Sequence, residues 1–273
     1  MERDILYILA AILIVIILIV VTLILKKLNH KDRKETQEIF YDLHSHILPG
    51  IDHGASDLDT AVAMIEEEVK EGVGHIVLTP HYFSKKQQKE KIEAQYKALC
   101  EEVKNKNIPV TLYTGNEMRC KEKHLKDLEE GKICTIGETS YLLAEFHTDD
   151  SYSYICNSLN EIQLNGYRPI VAHIERYEAL RKREAVSNLA QMGAVIQVNA
   201  SSFCDRKQRK YLLNLAKADL IHVIGSDCHD LEKRPPGIRC GTEILKKALP
   251  ADQYQKICFT NPAHILKGEY INV

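Results

Sequence analysis

The chain has 273 residues, 27% of them charged, and a formal net charge of -2. That balance gives no reason to expect nucleic acid as a partner, and the length suits one α/β barrel or two small domains after any anchor. The eight cysteines (Cys100, Cys120, Cys134, Cys156, Cys204, Cys228, Cys240 and Cys258) contain no Cys-x-x-Cys pair and read as scattered, reduced thiols of a cytosolic compartment.

Residues 5–25 carry no charge and are rich in Ile, Leu and Val. As a helix they would extend about 31 Å, the thickness of a bilayer core. The start Met1-Glu2-Arg3-Asp4 is not basic and no Ala-x-Ala follows, so a retained transmembrane helix is expected rather than a cleaved signal. Lys26, Lys27, Lys31, Arg33 and Lys34 come after it and only Arg3 before it, which predicts that the rest of the chain is cytoplasmic. The expected organisation is a membrane anchor at 1–25, a basic juxtamembrane linker at 26–38 and one domain at 39–273, in a single-pass protein of the cell membrane.

From residue 40, short apolar runs alternate with amphipathic stretches. Strands are predicted at 40–46, 75–79, 110–114, 141–146, 169–173, 194–199 and 220–225. A helix capped by Ser56 or Asp57 runs through Ala61, Ile65 and Val69 to Gly72. A long charged helix spans 86–106, with Ile92, Tyr96, Leu99 and Val103 on one face. Strict alternation predicts a parallel sheet, and near-continuous apolar strands fit burial on both faces. No Gly-x-Gly-x-x-Gly follows the first strand, against a dinucleotide fold. Every strand but the sixth ends in His, Asp or Glu. A barrel gathers strand ends on one face, whereas an open sheet would spread them, so an α/β fold with a distorted (β/α)7 TIM-like barrel is expected.

The residues collected at those ends are His44, His46, Asp52, His53, His81, Glu117, Glu145, His173, Asp227 and His229. Imidazole and carboxylate are the ligand set of Zn, Mn or Fe. Closely spaced ions of this kind suit in-line displacement at phosphorus. Arg176 and Arg234 follow His173 and His229 closely, and guanidinium forks match phosphate oxygens. The alternative for each is an ion pair with Glu175 or Glu232. Cys228 and Arg234 have the spacing of a cysteine-dependent phosphatase loop, but the intervening residues contain no glycine and two acids, against a phosphate cradle. The other histidines, His147 included, are not expected to be ligands.

Asp42-Leu43-His44-Ser45-His46-Ile47-Leu48-Pro49-Gly50, Thr79-Pro80-His81, Gly115-Asn116-Glu117, Ala144-Glu145-Phe146, Ala172-His173-Ile174-Glu175-Arg176-Tyr177 and Ser226-Asp227-Cys228-His229, with Arg234-Pro235-Pro236 behind them, resemble the polymerase-and-histidinol-phosphatase (PHP) superfamily. Within it the chain is most similar to bacterial tyrosine-protein phosphatases of capsule and exopolysaccharide synthesis. The resemblance implies a manganese-preferring centre of two or three ions. One would take His44, His46, Glu117 and Asp227; a second would share Glu117 and take Glu145 and His173; a third would take His81, His229 and the residue at 53. Arg176 and Arg234 would hold the phosphate, with no phosphoenzyme. The implied partner is a phosphotyrosine protein, a membrane-associated bacterial tyrosine kinase.

Two departures from the family's pattern stand out. His53 replaces the second Asp of an Asp-Asp-Gly turn, which predicts a weaker third site or a shift toward zinc. The anchor is the other, and it would keep the enzyme near a membrane-bound kinase. Two alternatives remain: a phosphoesterase of the same fold acting on a small molecule such as histidinol phosphate, and a membrane-tethered binding protein with a degraded metal site.

Overall fold

The computed structural model describes residues 18–22, 38–84 and 88–273. The expected membrane helix at 5–25 and linker at 26–38 lie mostly outside the described residues; 18–22 are helical and exposed. Among the described residues no helix is long and apolar enough to cross a membrane. The chain divides into the units Met1–Glu38 and Ile39–Val273. The second unit carries the sheets and the candidate site.

β1 (Phe40–Ser45), β2 (Val73–Leu78) and β3 (Thr111–Thr114) form one parallel sheet in that order. β4 (Glu117–Arg119), β5 (Tyr141–Glu145), β6 (Arg168–Val171), β7 (Val195–Asn199) and β8 (Val223–Gly225) form a second, also parallel. Two single bridges, Ser45 to Cys228 and His81 to Glu117, join the two sheets. β3 matches the expected strand 110–114, while β4, which begins at the Glu117 expected to follow that strand, is an additional one, so the two sheets hold eight strands among the described residues where seven were expected. The break between β3 and β4 has a cause in Asn116. Its buried Nδ2 donates to the Pro80 carbonyl at 2.9 Å and its Oδ1 accepts the Cys134 N–H at 2.9 Å. A side chain anchored to two other segments pulls the chain out of one sheet and into the next.

The intervening helices are α1 (Leu58–Lys70), α2 (Gln88–Asn105), α3 (Glu122–Glu129), α4 (Tyr152–Leu164), α5 (Arg183–Gln191) and α6 (Arg206–Lys217), with α7 (Ile238–Ala248) after β8. Asp57 caps α1 by accepting the Thr60 N–H at 2.8 Å. Strand alternation divides the core. Ile76 and Leu78 join the large cluster that includes α1 and α2, while Val77 joins Leu43, Leu143, Ile170, Val195 and Val223 in a smaller one. The cysteines correct the expectation of free thiols. Cys204 and Cys240 form a disulfide with Cα atoms 6.3 Å apart, tying the turn after β7 to α7. The partners lie 36 residues apart and meet only through the fold.

Glu68 breaks the apolar face of α1. It is fully buried and neither carboxylate oxygen has a hydrogen-bond partner. Asp42 and Cys228 are its polar neighbours. Burial, then the charges of Asp42 and Glu71, pushes its pKa well above the ordinary carboxylate value of 4.5. The folded protein therefore keeps a proton that the unfolded chain releases, and stability falls as pH rises above 4.5 towards the folded value. Glu68→Gln cannot ionise, so its melting temperature should gain on the wild type as pH rises above about 5. Melting temperatures that run parallel as pH rises would mean that Glu68 has a partner for its charge.

Candidate metal centre

Local irregularities aim the first ligands. β1 loses regular register between Asp42 and Ser45, so Asp42 faces Glu68 and α1 while His44 turns to the strand-end cluster. Asp42 then accepts the Ser226 N–H at 2.8 Å and the Ser226 hydroxyl at 2.5 Å, fastening β1 to the segment that carries Asp227. Gly225 leaves room for this, because a Cβ there would lie 2.6 Å from that of His44. His173 (φ 31°) and Asp227 (φ 54°) both adopt the left-handed conformation that non-glycine residues rarely take.

The result is a compact set of donors. His44 Nε2 lies 3.3 Å from His46 Nε2, 3.4 Å from Glu117 Oε1 and 3.4 Å from Asp227 Oδ1. His46 Nε2 is 3.2 Å from Glu117 Oε2. Glu117 also meets His173 Nε2 at 2.8 Å and His81 Nδ1 at 3.0 Å, and His81 Nδ1 is 3.8 Å from Glu145. Four groupings of the predicted residues bring their ligand atoms within 4.8 Å of one another: His44–His46–Asp227, His44–Glu117–His173, His81–Glu117–Glu145 and His46–His81–His229. Glu117 is the hub, as the sharing of that residue implied. The groupings differ from the implied sets: Glu145 gathers with His81 rather than with His173, His44 joins Glu117 and His173, and His46 joins His81 and His229. His53 belongs to none of them. It is exposed, with its ring 4.9 Å from those of His81 and His229. His147 stays outside the cluster, exposed and paired with Asp149.

Neighbouring groups fix which nitrogen faces inward. His46 Nδ1 is held by Asp52 at 2.7 Å, His44 Nδ1 by Gln197 Oε1 at 3.3 Å, His173 Nδ1 by the Tyr177 hydroxyl at 3.1 Å and His229 Nδ1 by the Asp227 carbonyl at 2.9 Å. Each leaves Nε2 toward the cluster, the arrangement that orients metal-binding imidazoles. The donor set also passes a test of fit. His229 Nε2 is buried with no hydrogen-bond partner, although the nitrogen belongs to a group that rarely goes unpaired. A cation among these ligands would satisfy it and separate the facing Nε2 atoms of His44 and His46.

Electrostatics agree with that fit. Burial opposes ionisation of Glu117, but the charge of His44 and bonds from His173 and other imidazoles hold its carboxyl well below the usual range. Asp227 is likewise depressed against its burial, by His44, His46 and Arg176. Burial and then the charge of His46 push His229 down to about 3, so its imidazole is neutral and keeps a lone pair to donate. Cys228 is fully buried, and burial with the charges of Glu68 and Asp42 raises its thiol well above 9.0. It is no nucleophile.

Both predicted arginines reach Asp227. Arg176 Nη2 pairs with Oδ2, and Arg234 Nη2 lies 2.8 Å from Oδ1. The expected alternatives, Glu175 and Glu232, do not take them; Glu175 is occupied by Asn199 and Ser202. The Arg176 and Arg234 side chains are 38% and 39% exposed, so neither is sealed off by its pairing with Asp227. A third, Arg119, forks onto Glu145 with bonds of 3.2 and 3.1 Å and was missed. Its signal was present in Glu117-x-Arg119, two same-face positions of one strand. Gln197 was missed too. Its Oε1 also accepts the His173 N–H at 2.7 Å, and its Nε2 donates to Asn199 at 3.0 Å. Asn199 in turn donates to Asp227 at 2.9 Å, completing a polar chain behind the cluster.

Parallel α/β staves with imidazoles and carboxylates converging at one end define a barrel metallohydrolase. The chain belongs to the capsular polysaccharide synthesis family CpsB/CapC, whose model matches residues 40–267. It is 30% identical to the tyrosine-protein phosphatase CpsB of Streptococcus pneumoniae over 84% of this chain and 99% of that one. It is also 30% identical to the tyrosine-protein phosphatase YwqE of Bacillus subtilis, over 71% of this chain and 78% of that one. A solved structure from work on YwqE and CpsB, described as unique metal-dependent tyrosine phosphatases, superposes with a TM-score of 0.78 at 27% identity, covering 85% of this chain and 96% of that one. A lactonase of Listeria monocytogenes shares the fold alone, with a TM-score of 0.55 at 11% identity over 86% of this chain and 96% of that one.

Proposed function

We propose that this chain is a metal-dependent protein-tyrosine phosphatase acting on a bacterial tyrosine kinase of capsule or exopolysaccharide synthesis. The observation that carries the reading is the joint grip of Arg176 and Arg234 on Asp227 beside the imidazole cluster. It sets two phosphate-matching forks against a donor set suited to divalent ions. Manganese is the proposed metal. The family pattern would give His44, His46, Glu117 and Asp227 to one ion, Glu117, Glu145 and His173 to a second, and His81 and His229 with His53 to a third, whereas the distances bring Glu145 to His81 and leave His53 at the exposed edge. Bound ions would supply Lewis acidity and a nucleophile at neutral pH.

The chain's own groups do the rest. Arg176 and Arg234 bind and orient the phosphoryl oxygens with the guanidinium N–H groups that Asp227 does not take. Gln197, Tyr177 and Asp52 hold the imidazoles in one tautomer. Arg119 holds the Glu145 carboxylate in plane. Cys228, buried and protonated, is not placed to form a phosphoenzyme. We further propose that residues 1–38 anchor the enzyme in the cell membrane with its catalytic domain cytoplasmic. Removing them should leave turnover of a peptide intact and slow dephosphorylation of the kinase in cells.

The test is turnover of a phosphotyrosine peptide beside histidinol phosphate, with manganese and after chelation. Peptide turnover should exceed that of histidinol phosphate, vanish with chelator and return with manganese. Hydrolysis of histidinol phosphate alone would move the chain to the small-molecule reading, and activity indifferent to chelation would remove the metal.

A further inference from the structure

We propose that Phe83 is the aryl wall of the substrate site, the side chain against which the ring of an aryl phosphate packs while its phosphate enters the cluster. This rests on the phosphatase reading and adds the residue that selects an aromatic ester. Phe83 is 40% exposed. A single exposed aromatic is ordinary on a protein surface; its position is what separates this one. Its ring centroid lies 5.9 Å from that of His81, whose Nδ1 touches the hub carboxylate Glu117 at 3.0 Å. A phenyl ring is thus one imidazole away from the centre of the donor set.

The segment that presents Phe83 is fixed on both sides. Before it, the Tyr82 N–H donates to the Glu117 carbonyl at 2.9 Å, and the Tyr82 ring is buried edge-on against His124. At Phe83 itself, the N–H donates to Gln88 Oε1 at 2.9 Å. The same amide donates through Nε2 to the His81 carbonyl at 2.7 Å, so one buried glutamine clamps both ends of the turn. After it, Ser84 takes the left-handed conformation (φ 53°) and its hydroxyl bonds to Asp127. Tyr82 turns in and Phe83 turns out. The backbone that presents the exposed ring is therefore fixed before any substrate arrives, which lowers the entropic cost of packing against it.

The chemistry of the substrate gives such a wall a purpose. In phosphotyrosine the ring is bonded directly to the ester oxygen, so it must lie at the mouth when the phosphate is in the cluster. An alkyl phosphate places no ring there. Paired aromatic rings contribute most at centroid separations of about 4.5–7 Å, and loss of one such pair should weaken binding about three- to tenfold.

The experiment uses the full chain loaded with manganese, and compares wild type with Phe83→Ala and Phe83→Tyr. Steady-state constants are measured for a phosphotyrosine peptide and for p-nitrophenyl phosphate, with the inhibition constant of inorganic phosphate as the readout of the phosphate subsite. Phe83→Ala should raise KM for both aryl substrates about three- to tenfold, leave inhibition by inorganic phosphate unchanged, and be rescued by Tyr. An unchanged aryl KM in Phe83→Ala overturns the proposal. So does a parallel change in the phosphate inhibition constant, which would mean that the substitution disturbs His81 instead. Wild-type protein that hydrolyses no aryl phosphate sinks the phosphatase reading along with the wall, whereas aryl turnover indifferent to residue 83 sinks the wall alone.

Discussion

Replacing His173 by Ala is expected to lower kcat/KM by about three orders of magnitude, the rate equivalent of losing several kcal/mol of charge stabilisation. Its Nε2 is 2.8 Å from the hub carboxylate Glu117, and the ring is buried. Few side chains are so tightly prescribed. The backbone N–H is held by Gln197, Nδ1 by Tyr177, and φ by a left-handed turn at the end of β6. Alanine keeps the backbone demand and its N–H bond, so the fold should survive while one ligand disappears. Elemental analysis should show less bound manganese in step with the lost turnover. Tyr177→Phe supplies a graded comparison. It removes the hydroxyl behind Nδ1, which also accepts the Phe146 N–H at 3.1 Å, a change of the kind that costs about 10- to 100-fold in metal affinity or activity. If His173→Ala stays within about tenfold of wild type, the cluster as assigned does not carry the reaction.

The ligands were legible because their signal is local. His44, His81, Glu117, Glu145, His173, Asp227 and His229 each close an apolar run, and parallel strands bring such ends together. What escaped notice depends on distant partners. The break between β3 and β4 follows from Asn116 reaching Pro80 and Cys134, contacts that no periodicity records. Gln197 sits inside an apolar strand and matters only because His44 and His173 lie opposite. The Cys204–Cys240 pair depends on α7 returning to the turn after β7. Glu68 was passed over because the stripe Ala61, Ile65, Val69 defines a face on which a carboxylate is not expected, yet it is buried there. His53 divides the two kinds of evidence. Its motif position implies a ligand, while its ring lies at the exposed edge of the cluster, stacked at 26° on His81.

Arg176→Ala and Arg234→Ala are each expected to cost about 10- to 100-fold in kcat/KM, the loss of one hydrogen-bonded charge. The double variant should cost less than the product of the two. Both guanidiniums hold one carboxylate, Arg176 on Oδ2 and Arg234 on Oδ1 of Asp227, so each already sets the position from which the other meets phosphate. After the first substitution, Asp227 retains one guanidinium and the Asn199 amide at 2.9 Å. The second substitution then acts on a site already displaced. Lysine should not restore either arginine, because a point charge cannot hold Asp227 and a phosphate oxygen on two edges of one plane. Measured costs that simply multiply would separate the arginines. Each would then bind phosphate without reference to Asp227, and the paired grip on that carboxylate would have no part in turnover.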